Sequence, residues 1–110
     1  MKVAVVGAGT MGTGIAQVIA MSGFDVTLHD VEQVALDNSI EKIKDSLEKL
    51  AMKDASINSV EVINRITLST DYTTLQSRDI IIEAINENID QKHIFYKKVD
   101  DLCEEQTIFV

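Results

Sequence analysis

AVVGAGTMGTGIA, residues 4–16, opens as an apolar run, breaks at Gly7, Gly9 and Gly12, and resumes at helical spacing. The run from Val3 to Val6 is β-branched and unbroken by polar residues, the pattern of a strand buried on both faces. A Gly-x-Gly-x-x-Gly pattern is weak alone. It gains meaning when it follows a strand and opens a helix, as it does here. Gly7 then allows a tight turn, Gly9 removes a side chain where a diphosphate must approach the backbone, and Gly12 lets the helix pack on the strand. The free N–H groups and the positive helix end favour an anion. Gly7, Gly9, Thr10, Met11 and Gly12 are therefore candidate cofactor contacts, while Gly14 is expected to serve packing only. The competing reading is a structural bend with no ligand.

The next residues sharpen the choice. Met11, Ile15, Val18, Ile19 and Met21 give the helix its apolar spacing, with Met11 and Met21 expected in the core, and Ser22-Gly23 ends it. Phe24 to Leu28 reads as a second strand, closed by His29-Asp30. Asp30 lies 18 positions after Gly12, where a carboxylate can accept hydrogen bonds from both ribose hydroxyls of an adenosine. It would repel a 2′-phosphate, and Val31 brings no compensating charge, so NAD is preferred to NADP. His29 is expected to point away as a rim side chain, because strand neighbours alternate faces.

Further along, Leu36, Ile40, Ile43, Leu47 and Leu50 mark a long amphipathic helix, with charged pairs such as Asp45 and Lys49 on its other face. A polar connection over residues 53–59 leads to a short helix, Val60 to Asn64. Ile66 to Leu68 is a third strand, Tyr72 to Leu75 one helical turn, and Ile80 to Ala84 a fourth strand with the strongest burial signal. Ile89 to Cys103 reads as a last helix, with His93 and Cys103 on or beside its apolar stripe. Thr107 to Val110 begins a fifth strand. Strands separated by helices imply crossovers and a parallel sheet. The expected fold is α/β: a Rossmann-type doubly wound parallel sheet of about five strands, incomplete, with residues 1–110 as a single domain.

Composition agrees. The chain has 110 residues, 45% hydrophobic and 25% charged, with mean hydropathy near zero, as expected of one small globular domain with a core. A net charge of -8 argues against nucleic acid or an anionic membrane surface as partner. No run approaches the about 18 apolar residues of a membrane helix. Met1-Lys2 leads straight into a strand, so no targeting segment is expected. Cys103 is the one cysteine, which leaves no internal disulfide and fits a cytoplasmic protein.

Two stretches, VAVVGAGTMGTGIAQVIAMSGFDVTLHD (residues 3–30) and DIIIEAINENIDQKHIFYKKVDDLCEEQTIF (residues 79–109), resemble the NAD-binding domain of the 3-hydroxyacyl-CoA dehydrogenases, including the bacterial 3-hydroxybutyryl-CoA dehydrogenases. The Glu83 to Asn88 element is the more specific part. The resemblance implies that the backbone of Ala84 and Ile85 runs along the cofactor and that Glu87 and Lys92 lie near its nicotinamide half. By ungapped spacing from Asp30 it places Ser46 and Lys53 where the family contacts acyl-CoA. The alternative for both is an ordinary helix or surface residue.

The resemblance also implies an Asn-Thr-Ser-Ser element after the fifth strand, a later His-Phe-Phe-Asn-Pro element, and a helical domain that closes the substrate cleft. The chain is thus expected to be the N-terminal part of an oxidoreductase of fatty acid or butanoate metabolism that interconverts 3-hydroxyacyl-CoA and 3-oxoacyl-CoA, with acyl-CoA a substrate only of the intact enzyme and no turnover by this part. An alternative is a non-catalytic NAD-binding or redox-sensing module. Ending at the fifth strand leaves one sheet edge unpaired, so this part of the enzyme is expected to self-associate through the exposed edge, with exchange of its last elements as one route.

Overall fold

The computed structural model describes residues 2–76, 78–85 and the backbone of 108–109. Its elements are β1 (Val3–Val6), α1 (Thr10–Met21), β2 (Val26–His29), α2 (Gln33–Lys53), α3 (Ser59–Asn64), β3 (Ile66–Ser69), a 3-10 turn (Tyr72–Leu75), β4 (Ile80–Glu83) and β5 (Ile108–Phe109). The expected helix over residues 89–103 lies outside the described residues.

The sheet is parallel throughout, in the order β3-β2-β1-β4-β5. Val3 to Val6 pair in register with Val26 to His29 on one side and Ile80 to Glu83 on the other. The chain therefore steps outward from β1 through β2 to β3, then returns to start β4 on the opposite side of β1. This reversal is the doubly wound arrangement expected from the alternating elements.

Strand alternation divides the core in two. Val3, Val5, Val26 and Leu28 face α1 and α2, meeting Ala16, Ala20, Leu36, Ile43 and Leu47. Ala4, Val6 and Ile81 face the other way and meet Leu75 of the 3-10 turn. All four residues of β1 and of β2 are buried, whereas in β4 only Ile81 is. The greatest burial thus belongs to β1 and β2, not to the Ile80–Ala84 run, because β1 lies mid-sheet and both strands sit beneath α1 and α2.

Helix α1 corrects the reading of its stripe. Its buried residues are Gly12, Thr13, Ala16 and Ala20, while Met11 and Val18 are each 64% exposed and Met21 is exposed as well. Small side chains face the sheet because the helix must lie close to it; Ile15 and Ile19 of the expected stripe are half-buried against the core, and Met11, Val18 and Met21 turn outward. Gly14 is exposed, with open space where a Cβ would stand, so it serves no close packing. Helix α1 ends at Ser22 and Gly23, the latter at φ +95°, and Arg65 Nη1 donates to Ala20 O at 2.9 Å. On α2, the ion pair present among the described residues is Lys44–Glu41 at 3.7 Å rather than Asp45–Lys49.

Candidate functional site

The carboxyl ends of β1, β2 and β4, with the turn after β3, enclose a cleft of about 510 Å³. It is lined by Val6 to Gly9, His29 to Glu32, Ala35, Tyr72, Ala84 and Ile85. This is the carboxyl edge at the point where strand order reverses, the position at which open α/β sheets bind ligands.

The glycine turn forms one wall. Gly7 has φ +106°, and its N–H donates to His29 O at 2.8 Å, extending the β1–β2 ladder by one rung. A Cβ on Gly7 would stand 2.6 Å from Ala84 O, and one on Gly12 would stand 1.7 Å from Gly7 O. These two glycines therefore let α1, the turn and the end of β4 close on one another. Gly9 differs: a Cβ there would meet nothing within 4 Å. It is the N-cap of α1, no side chain caps it, and the first helical turn carries no acidic residue. No side chain of the helix's own first turn opposes the field of this helix end.

Asp30 forms the facing wall. Its Oδ2 accepts the Ala8 N–H at 2.8 Å and its Oδ1 accepts the Glu32 N–H at 2.9 Å. Each oxygen keeps a further lone pair for a donor from the cleft. Val31 and Glu32 follow, both exposed, so this edge holds no cation to receive a phosphate.

His29 is not the rim residue expected from the alternation of faces. It is 1% exposed, and its ring lies 4.7 Å from that of Tyr72 at an angle of 47°. It does point away from α1 and α2, but the 3-10 turn covers that face. Neither ring nitrogen has a hydrogen-bond partner among the described residues. Burial holds its pKa below the usual 6.5, against the opposing pull of the Asp30 and Asp71 charges. Burial, with the Asp30 charge second, raises the pKa of Tyr72.

Of the residues singled out from sequence, Gly7, Gly9, Asp30, Ala84 and Ile85 line the cleft, and Gly12 lies beneath its glycine wall. Thr10 and Met11 are exposed on the first turn of α1 and are not among the lining residues. The Ile85 N–H donates to Glu83 Oε1 at 2.9 Å, which turns the chain as it leaves β4. Glu87, Lys92, His93 and Cys103 lie outside the described residues. Ser46 is half-buried on α2 and accepts a hydrogen bond from Gln17 Nε2 at 2.9 Å; Lys53 is exposed at the last position of that helix. Neither lines the cleft, but seven residues of helix put them about two turns apart on one face.

Sequence reasoning passed over Thr13, Ser39 and Tyr72. Ser39 had a signal: it falls between Leu36 and Ile43 on the apolar stripe of α2, where a hydroxyl needs a buried partner. Among the described residues no group of histidine, cysteine or carboxylate side chains is placed to hold a metal ion, and no helix is long and apolar enough to cross a membrane.

A parallel sheet, a glycine turn opening a helix and a carboxylate at the end of the second strand define a dinucleotide-binding domain. The family model for the 3-hydroxyacyl-CoA dehydrogenase NAD binding domain matches residues 2–110, and the chain belongs to that family, whose cofactor is NAD. It is 38% identical over 110 residues to a 3-hydroxybutyryl-CoA dehydrogenase of Clostridioides difficile, covering 98% of this chain and 39% of that protein. It is 41% identical over 109 residues to a probable 3-hydroxybutyryl-CoA dehydrogenase of Deinococcus radiodurans, with the same coverage. The crystal structure of (S)-3-hydroxybutyryl-CoA dehydrogenase from Ralstonia eutropha superposes with a TM-score of 0.90 at 36% identity, over 98% of this chain and 39% of that one. The chain thus spans about two-fifths of the length of these relatives.

Proposed function

We propose that residues 1–110 form one cofactor-holding unit of an oxidoreductase that interconverts 3-hydroxyacyl-CoA and 3-oxoacyl-CoA, the chemistry named for the relatives. The observation that carries this reading is the Asp30 carboxylate, hydrogen-bonded to the glycine turn at 2.8 Å across the cleft mouth. Bound there, NAD would supply the hydride acceptor or donor. The residues fit such a ligand. Gly9 leaves open space beside an uncapped helix end for the diphosphate, and Asp30 retains acceptor capacity for the adenosine ribose. Gly7 and Gly12 hold the turn's shape, with Thr10 and Met11 beside the diphosphate on the first helical turn. The Ala84–Ile85 backbone lines the cleft beside the glycine turn and is assigned to the nicotinamide half on the resemblance of the sequence. Glu87 and Lys92 are assigned to that half, and Ser46 and Lys53 to acyl-CoA, on the resemblance of the sequence.

The remaining parts of the proposal concern the whole protein. Acyl-CoA is a partner of the longer enzyme, which works in the cytoplasm in fatty acid or butanoate metabolism, without nucleic acid or membrane as partner. The chain itself associates with copies of itself through a sheet edge. His29 is buried beneath the 3-10 turn, and that burial also weakens it as a base, so the groups that move the substrate proton belong elsewhere in that enzyme.

Calorimetric titration of NAD and NADP tests the reading. NAD is expected to bind at least about tenfold more tightly, a difference of about 1.4 kcal/mol, and Asp30→Ala should erase most of the preference. Equal or tighter binding of NADP by the unaltered chain would remove the role given to Asp30.

A further inference from the structure

Two hydroxyl groups are buried between α1 and α2 in an otherwise apolar layer. Thr13 is 7% exposed and Ser39 1%, and their oxygens are 2.7 Å apart. They lie on the helix faces that also carry the buried Ala16, Leu36 and Ile43, and their burial keeps both hydroxyls from water. Thr13 Oγ1 also donates to Ala8 O at 3.3 Å. One orientation of protons satisfies both contacts: Ser39 donates to Thr13, and Thr13 donates to the Ala8 carbonyl. The same Ala8 residue donates its N–H to Asp30 Oδ2 at 2.8 Å. Both polar groups of Ala8, between the first two glycines of the turn, are thus held by side chains from outside it.

A glycine turn needs such restraint. Gly7 and Gly9 give this segment more backbone freedom than any other part of the site, and freedom in the unbound turn opposes ligand binding. Asp30 restrains it from the adenosine side of the cleft. The Thr13–Ser39 pair restrains it from the core, and ties α2 to the turn although α2 supplies only Ala35 to the cleft lining.

We propose that Thr13 and Ser39 are positioning residues for the cofactor: a buried hydroxyl pair that fixes the Ala8 peptide, and with it the phosphate-binding turn, opposite Asp30. This rests on the NAD reading of the cleft. A merely structural pair, serving to pack α1 on α2, would affect folding and not the turn.

Replacing both hydroxyls together separates these roles. Thr13→Val alone leaves both the Ser39 hydroxyl and the Ala8 carbonyl without this partner, whereas the Thr13→Val/Ser39→Ala double variant leaves only the carbonyl, so the double variant should melt higher than Thr13→Val and nearer to the unaltered chain. The double variant should nevertheless bind NAD about three- to tenfold more weakly, the loss of one ordinary hydrogen bond. Thr13→Ser, which keeps the hydroxyl, should restore most of the affinity. In the free chain, the Ala8 amide should exchange its hydrogen faster in the double variant by a similar factor, with Val5 and Leu28 unchanged. NAD affinity and Ala8 exchange both equal to those of the unaltered chain would overturn the proposal. Failure of the unaltered chain to bind NAD would instead overturn the cofactor reading, and Ala8 exchange would still decide whether the pair holds the turn.

Discussion

Gly9 and Gly12 look alike in the sequence and have opposite surroundings. A methyl group on Gly12 would stand 1.7 Å from the Gly7 carbonyl oxygen, a backbone atom that cannot swing aside. Gly12→Ala should therefore cost at least about 3 kcal/mol, the upper end of overpacking penalties, and thermal denaturation would register it. Gly9→Ala meets open space, at φ -74°, and loses only some N-cap preference. It should cost less than about 1 kcal/mol yet weaken NAD binding severely, which melting and titration on the same sample would separate. The turn and packing roles of Gly7 and Gly12 were legible because strand, turn and helix fix the geometry between them. His29 was not legible. Alternation gave the face it occupies, but its burial depends on Tyr72, which arrives more than forty residues later across a crossover. Its lowered pKa has a consequence of definite sign. As pH falls below the ordinary 6.5, the unfolded chain takes up a proton that the folded chain still refuses, so stability is full above that value and declines through the window beneath it. The Asp71 carboxylate, whose pKa is lowered chiefly by the Thr73 N–H, acts only near and below 3.8. Melting curves between pH 7.5 and 5 should thus show a slope that His29→Leu flattens.

At the scale of elements, periodicity marked where helices lie better than which way they face. Helix α2 followed its stripe at Leu36, Ile43 and Leu47, which are buried, because a long helix over one face of a sheet has a polar side to give away; Leu50, near the end of the helix, is exposed instead. Helix α1 is apolar almost all round, so hydropathy could not choose its inner face. The choice falls on size: Gly12, Ala16 and Ala20 go inward because the glycine turn pulls the helix onto β1. Two substitutions check this. Ala16→Leu puts a large side chain into a fully buried position and should cost about 1–3 kcal/mol. Val18→Ala, on the exposed side, should change stability by less than about 0.5 kcal/mol, although the spacing of apolar residues alone would rank Val18 as core. Equal costs would mean that the helix is rotated from the orientation seen here.

For the molecule as a whole, sheet order was legible only as a class. Alternating strands and helices require parallel pairing, but the reversal about β1 needs the registers of Val3–Val6 with both β2 and β4. Among the described residues, that order leaves β3 at an edge, paired to β2 alone. An edge strand offers a row of backbone donors and acceptors to any other chain, and proteins blunt such edges with charge, proline or a bulge. The β3 sequence Ile66-Thr67-Leu68-Ser69 has none of the first two, and Thr67 is exposed. The proposed self-association follows from this edge, and it should be reversible and dependent on concentration, since one short strand pair buries little surface. Light scattering across a hundredfold range of concentration should therefore show the mass rising from that of one chain towards that of two. Thr67→Lys places a charge on the open edge without entering the core and should return the mass to one chain at every concentration, with NAD binding unchanged because β3 does not line the cleft. A single-chain mass for the unaltered protein throughout the range would remove the edge as an interaction surface. An association that survives Thr67→Lys would move it to another surface, and the outward side chains Met11 and Val18 of α1 are the first place to look.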